Sequence, residues 1–263
     1  MLTPRIIVCL DVARGKVIRG TKFSADREVG DPITLAAKYN HQGADELVFY
    51  DITASAEGRG LFIDVLERCA EQLFIPLTVG GGVRTPDEVK HLLRAGADKV
   101  SLNTQAVANP SLIRESAQRF GSQCIVLSMD ILHQGDHYRI VTHGGRRQTD
   151  LDAVDWAKRG VELGAGEIVV NSIDADGTKE GYALSITRQI AEAVPVPVVA
   201  SGGAGKLEDF YSILVEGHAD AALAAGVFHY GELTVPQVKD YLKHRGLSVR
   251  LDIAGLQQGE ENQ

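Results

Sequence analysis

Short apolar runs alternate with longer amphipathic stretches along nearly the whole chain. The runs are rich in β-branched residues, as in Ile6-Ile7-Val8-Cys9-Leu10 and Ile125-Val126-Leu127. They predict strands near 5–11, 46–51, 76–80, 98–102, 123–130, 166–171, 196–201 and 219–224. Between them the apolar positions take up helical spacing, predicting helices near 32–43, 60–73, 86–95, 110–120, 151–163, 184–194, 207–216 and 234–244. Thr85 before Pro86 and Asn109 before Pro110 read as helix starts, a cap followed by proline at the first helical position. Eight strand–helix units predict an α/β fold, a (β/α)8 TIM barrel over residues 1–252; an open doubly wound sheet is the alternative. Residues 253–263 are polar and read as a disordered tail.

The pattern also repeats. Asp11 and Asp130 each close an apolar run, Gly43-Ala44-Asp45-Glu46 is echoed by Gly164-Ala165-Gly166-Glu167, and Gly80-Gly81-Gly82 by Ser201-Gly202-Gly203. With Ala97-Asp98 and Ala219-Asp220 these landmarks lie 119 to 122 residues apart, predicting two duplicated half-barrels. The stretches 12–31 and 131–150 break the rhythm at matching places, directly after the two aspartates. Tyr138–Thr142 followed by His143-Gly144-Gly145-Arg146 reads as a small hairpin.

Active sites of such barrels lie where the strands end. That rule selects Asp11, Asp51, Gly81, Gly82, Asn103, Thr104, Asp130, Asn171, Asp176, Gly177, Ser201, Gly202, Gly203, Ala225 and Gly226. Glycine runs followed by helix starts let backbone N–H groups approach an anion closely, so the third and seventh strand ends read as phosphate sites. Asn103-Thr104 and Ala225-Gly226 complete one site each. A ligand with a phosphate at either end would lie across the mouth, with Asp11 and Asp130 between, one giving a proton and the other taking one. At the opposite end of the strands lie Arg5, Glu46, Lys99 and Glu167, of which Arg5 shares the inward face with Asp11, Lys99 with Asn103 and Glu167 with Asn171; Arg5 stands ~20 Å below Asp11 at about 3.3 Å per residue. They could form a ring, and a structural salt-bridge layer is sufficient to explain it.

Composition narrows the reading further. A formal charge of -8 in 263 residues argues against a nucleic-acid surface. Three cysteines, Cys9, Cys69 and Cys124, two of them placed in strands, read as reduced core thiols of a cytoplasmic protein. No run approaches a membrane span. His133 and His137 bracket Asp136, but Gly135 makes the segment a turn rather than a metal site.

The chain resembles the cyclase subunit of imidazole glycerol phosphate synthase. The resemblance rests on Arg5-Ile6-Ile7 with Cys9-Leu10-Asp11-Val12, Asp45-Glu46-Leu47-Val48-Phe49, Asp51-Ile52-Thr53-Ala54-Ser55, Thr78-Val79-Gly80-Gly81-Gly82, Gly96-Ala97-Asp98-Lys99-Val100, Asp176-Gly177-Thr178, Ala200 to Gly205 and Val227-Phe228-His229. It implies addition of ammonia to a doubly phosphorylated ribulosyl aminoimidazole carboxamide nucleotide, then cyclisation and cleavage to imidazole glycerol phosphate and an aminoimidazole carboxamide ribotide. It implies Asp11 and Asp130 as general acid and general base, with no metal and no organic cofactor. Arg5, Glu46, Lys99 and Glu167 would gate ammonia delivered by a glutaminase subunit docked at the N-terminal face, with Asp98 facing that partner.

Arg19 stands where the family commonly has lysine, in the segment after the first strand, and is expected to bind substrate phosphate. Leu132 replaces a common lysine, Ala183 an acidic residue and Gly226 a common serine. These bear on turnover and phosphate affinity more than on reaction class. The isomerase one step earlier in the pathway resembles the chain in its half-barrel repeat, aspartate pair and phosphate sites. A non-catalytic glutaminase activator is the reading from another class, and Asp11 and Asp130 speak against it.

Overall fold

The computed structural model describes residues 3–20, 27–52 and 63–250. In chain order the elements are β1 (Arg5–Ala13), β2 (Lys16–Arg19), β3 (Arg27–Gly30), α1 (Pro32–His41), β4 (Glu46–Asp51), α2 (Ile63–Ala70), β5 (Leu77–Gly80) and α3 (Pro86–Arg94). There follow β6 (Lys99–Leu102), α4 (Thr104–Ala108), α5 (Ser111–Phe120), a 3-10 turn at Ser122–Cys124, β7 (Ile125–Gln134), β8 (His137–Thr142), β9 (Arg147–Asp152) and α6 (Ala153–Leu163). The last are β10 (Glu167–Ser172), α7 (Leu184–Ala193), β11 (Val198–Ser201), α8 (Leu207–Val215), β12 (Ala221–Ala224), α9 (Gly226–His229) and α10 (Val235–His244).

Eight parallel strands, β1, β4, β5, β6, β7, β10, β11 and β12, pair in that order, and β12 pairs back onto β1 with Arg5 opposite Ala221. The sheet is therefore a closed (β/α)8 barrel, not an open doubly wound one. Both faces of each strand are covered, which is why the strands read as unbroken apolar runs. Alternation along the strands splits their side chains into two sets. Ile7, Cys9, Val48, Val126, Val169, Val199 and Leu223 fill the barrel, while Ile6, Val8, Leu10, Leu47 and Phe49 pack outward under the helices.

The expected helices form, with shifted ends. The Thr85 hydroxyl accepts from Glu88 N at 3.2 Å and the Glu88 carboxylate accepts from Thr85 N, closing a capping box on α3. Asn109 does not cap its helix: it ends α4, and α5 begins at Ser111 behind Pro110 with no side-chain cap. The helix expected from 151 begins at Ala153, because Leu151 and Asp152 belong to β9 and the Asp152 carboxylate caps the helix. Cys124 lies in the 3-10 turn, half-buried, rather than in a strand. The segments after the two aspartates carry more structure than expected: β1–β2–β3 and β7–β8–β9 are antiparallel, with Val12 opposite Val17 and Asp130 opposite Val141. Residues 53–62, which include Thr53-Ala54-Ser55 and the expected start of a helix at 60, and the tail at 253–263 lie outside the described residues. No helix among the described residues is long and apolar enough to cross a membrane.

Where the strands begin, three aspartates do one job. Asp45, Asp98 and Asp220 each accept from the backbone N–H of a residue on the neighbouring strand, Ile6, Leu77 and Val198, at 2.8, 2.8 and 2.9 Å. Gly166 takes the fourth such place, before β10. A Cβ there would lie 2.3 Å from the Ser122 carbonyl, so the seam between β7 and β10 has no such carboxylate.

Candidate active site

Every residue selected at the strand ends lines one open cavity of about 1250 Å³ at the barrel mouth. Asp11 on β1 and Asp130 on β7 face each other across it, since three strands separate β1 from β7 in either direction round the barrel. Arg5, Glu46, Lys99 and Glu167 lie at the other end, and Asp98 is spent on the Leu77 N–H at that same end.

The two aspartates have different surroundings. Asp11 Oδ2 accepts from Arg19 Nη1 at 2.8 Å, and the Cys9 thiol lies 3.5 Å from Oδ1. Arg19 reaches this place because β2 folds back antiparallel on β1, and its other Nη donates to Asp176. Burial pushes the Asp11 carboxyl up, with Arg19 opposing and Asp176 adding to the rise. No cation among the described residues bonds Asp130. Its oxygens accept from Asn103 Nδ2 at 2.9 Å and Asn171 Nδ2 at 3.2 Å, from the flanking strand ends of β6 and β10. Burial raises its pKa to about 6, against the pull of the two amides. Asn171 also donates to Ser128 Oγ at 2.8 Å, whereas Asn103 Oδ1 is buried with no hydrogen-bond partner among the described residues.

Gly81 and Gly202 occupy matching positions at positive φ, 101° and 92°. A Cβ on Gly81 would lie 2.3 Å from the Asp51 carbonyl, and one on Gly202 2.8 Å from that of Ser172, so each run passes tightly over the preceding strand end. The short helices α4 and α9 start at Thr104 and Gly226 beside these runs, completing two donor-rich corners on opposite sides. The Thr104 hydroxyl accepts from His143 N at 2.9 Å, which ties the β8–β9 turn to the first corner. No group of three or more His, Cys, Asp or Glu among the described residues is placed to hold a metal ion.

Residues that strand ends alone did not select also line the cavity. Cys9, Ser101 and Ser128 each stand two positions before a selected residue on the same inward face, and period-two alternation was the available signal. Among the described residues Arg14, Lys16, Arg19, Arg27, Arg84, Arg146 and Lys179 give the wall seven basic side chains against five acidic ones. This excess is set in a chain of net charge -8, so the mouth concentrates positive charge where an anion would enter. Arg146 stands directly after a glycine pair and Arg84 two places after the Gly80–Gly82 run, the signal that could have found them.

At the floor the ring is complete. Arg5 donates to Glu46 at 2.8 Å and Glu167 at 2.7 Å, and Lys99 donates to the same two carboxylates at 2.8 Å each. Thr78 Oγ1 adds a bond of 2.6 Å to Glu46. Below Cys9, His229 donates from Nε2 to the Cys9 carbonyl at 3.0 Å and accepts from the Tyr39 hydroxyl at Nδ1; burial lowers it to about 4, so it stays neutral.

The family model for histidine biosynthesis proteins matches residues 5–234, from the floor arginine of β1 to the cap of the last helix. That span holds the whole barrel, both strand-end aspartates and both glycine corners, and the chain belongs to the histidine biosynthesis protein family.

Proposed function

We propose that this histidine-biosynthesis enzyme is the cyclase subunit of imidazole glycerol phosphate synthase. The observation that carries the reading is the closed ring of Arg5, Glu46, Lys99 and Glu167 directly beneath the mouth. An isomerase has no need of a charged, openable floor, whereas a reaction that consumes ammonia gains an entry shielded from solvent. A glutaminase subunit docked on that face would supply the ammonia. Passage needs one cation to swing aside, and Arg5, with 26% of its side chain exposed, is the least enclosed of the four.

The bisphosphate substrate would span the mouth, one phosphate at Gly81, Gly82, Asn103 and Thr104, the other at Gly202, Gly203, Ala225 and Gly226. Ammonia arriving through the barrel would meet the unpartnered Asn103 Oδ1, an acceptor for its N–H. Asp130, poised near neutrality, would take the proton released as nitrogen attacks the ribulosyl carbonyl. Asp11 would return a proton on the opposite side as the ring closes and the carboxamide ribotide leaves. Asp51, Asn171, Ser201, Asp176 and Gly177 complete the wall around the substrate's middle. The test is turnover of the opened nucleotide with excess ammonium salt and no partner, expected to yield imidazole glycerol phosphate. Isomerase activity on the unopened precursor, without ammonium-dependent cyclisation, would replace this reading with the isomerase.

A further inference from the structure

Arg19 stands at a junction. One Nη bonds Asp11, the other bonds Asp176, and the remaining Nε lies 3.8 Å from the point a Cβ on Gly226 would occupy, at the second glycine corner. All three side chains are enclosed: 15% of the arginine and of Asp11 is exposed, and 5% of Asp176. Arg19 thus bridges two carboxylates in a poorly solvated place. Among the described residues the other groups facing Asp11 are the Cys9 thiol, Asp176 and, across the mouth, Asp130, and none of these is cationic. Tyr50, on the neighbouring strand, is a half-buried phenol pushed well up by its surroundings and so stays protonated, and His229 beneath Cys9 is neutral. Arg19 is therefore the described group whose charge and hydrogen bond oppose the upward push of burial on the Asp11 carboxyl.

A phosphate monoester carries more charge than a carboxylate and matches the guanidinium fork, so it competes strongly for this side chain. Gly226 leaves room beside Nε where a serine would place a hydroxyl. We propose that Arg19 is a positioning residue that couples phosphate anchoring at Gly202, Gly203 and Gly226 to protonation of Asp11. A phosphate in that corner draws the guanidinium off Asp11, and the carboxylate, left buried without its cation, binds a proton from solvent. The acid is then loaded only when substrate is seated. Lysine at this position would offer one ammonium centre in place of a fork that bonds two carboxylates and faces the glycine corner. The inference rests on the cyclase reading for the identity of the acid and of the phosphate it senses.

The experiment follows the carboxyl carbons of the aspartates by NMR across pH in the full chain, with and without inorganic phosphate. Asp11→Asn assigns the signal, and the amides of Gly202, Gly203 and Gly226 report occupancy. In the wild type, phosphate is expected to shift the Asp11 titration upward. In Arg19→Met, Asp11 titrates high already, phosphate does not move it, and phosphate binds about tenfold more weakly through loss of a charge-assisted contact. Arg19→Lys restores part of both effects and serves if the methionine variant does not fold. Phosphate that perturbs the three amides and leaves the Asp11 titration in place overturns the coupling, and phosphate that leaves the amides unperturbed overturns it at its first step. Neither result depends on turnover, so a shift of Asp11 in a protein without ammonium-dependent cyclisation keeps the coupling and removes the cyclase reading.

Discussion

Asp11 and Asp130 hold the same place at the ends of β1 and β7, yet one half of the barrel sets a guanidinium against its aspartate and the other sets two carboxamides. An amide donates to a carboxylate without bringing charge, so burial dominates at Asp130 and lifts it to about 6. A guanidinium brings a full charge, so Asp11 keeps a counterweight to its burial. Position in the barrel makes the two carboxyls equivalent by location, and their partners make them different acids. The source of the difference is the pair of antiparallel excursions: β2 carries Arg19 back over Asp11, while β8 lays Val141 beside Asp130.

The largest test of this difference is in turnover. Asp130→Asn removes the acceptor and is expected to lower ammonium-driven kcat by about 10³-fold, the range of general base catalysis. Asp11→Asn is expected to fall comparably, and the wild-type rate should decline as pH drops through about 6 as Asp130 takes up its proton. Stopped assays from pH 5 to 8 would show it. An Asp130→Asn enzyme with wild-type turnover would end the assignment of the base.

The glycine corners compare the halves next. Gly81→Ala presses a Cβ to 2.3 Å from a backbone carbonyl and Gly202→Ala to 2.8 Å, both at positive φ. Denaturant unfolding should report losses of about 3 kcal/mol for the first and about 2 kcal/mol for the second. Equal losses would mean the two corners are equally tight.

Stability against pH sharpens the comparison further. The Asp130 carboxyl is raised in the folded protein from 3.8 to about 6. Below pH 4 both states hold the proton and there is no cost. Between about 4 and 6 the unfolded chain releases a proton that the folded one keeps, so stability declines, and above 6 the full cost, about 2–3 kcal/mol, is present. Asp130→Asn should remove that decline, leaving a pH-independent offset because an amide serves the two asparagines less well. Melting curves of both proteins from pH 4 to 7 should therefore draw together or cross as pH rises. The smallest effect is at the hairpin tips: Gly15→Ala and Gly135→Ala meet nothing within 4 Å and cost only their positive φ, about 1 kcal/mol each by thermal melting.

The barrel was legible because parallel strands are covered on both faces and leave continuous apolar runs, and because aspartates and glycines punctuate their ends. Helix starts were less so: Asn109-Pro110 has the form of a cap, yet α4 ends there, since one asparagine cannot both end one helix and cap the next. The excursion after β1 was opaque because β2 and β3 are four residues each, too short for alternation to register. The partners of the aspartates divide in the same way. Asn103 and Asn171 sit at strand ends and could be read; the pairing of Arg19 with Asp176, 157 residues apart in the chain, needed the fold. Arg27, Arg84 and Arg146 were hidden by a net charge that describes the whole surface and conceals a cavity of the opposite sign.

Asp45, Asp98 and Asp220 fasten the starts of β1 and β4, β5 and β6, and β11 and β12, and Gly166 leaves the start of the β7–β10 seam without such a carboxylate, its side-chain bonds lying at the mouth end. The barrel thus has a fourfold rhythm with one beat silent, and the silent beat lies beside Glu167 of the floor. Under slow opening the staves should part at that joint first, with amides at the start of β10 exchanging ahead of their counterparts on β4, so that the loosest joint of the cask borders the charged ring of its floor.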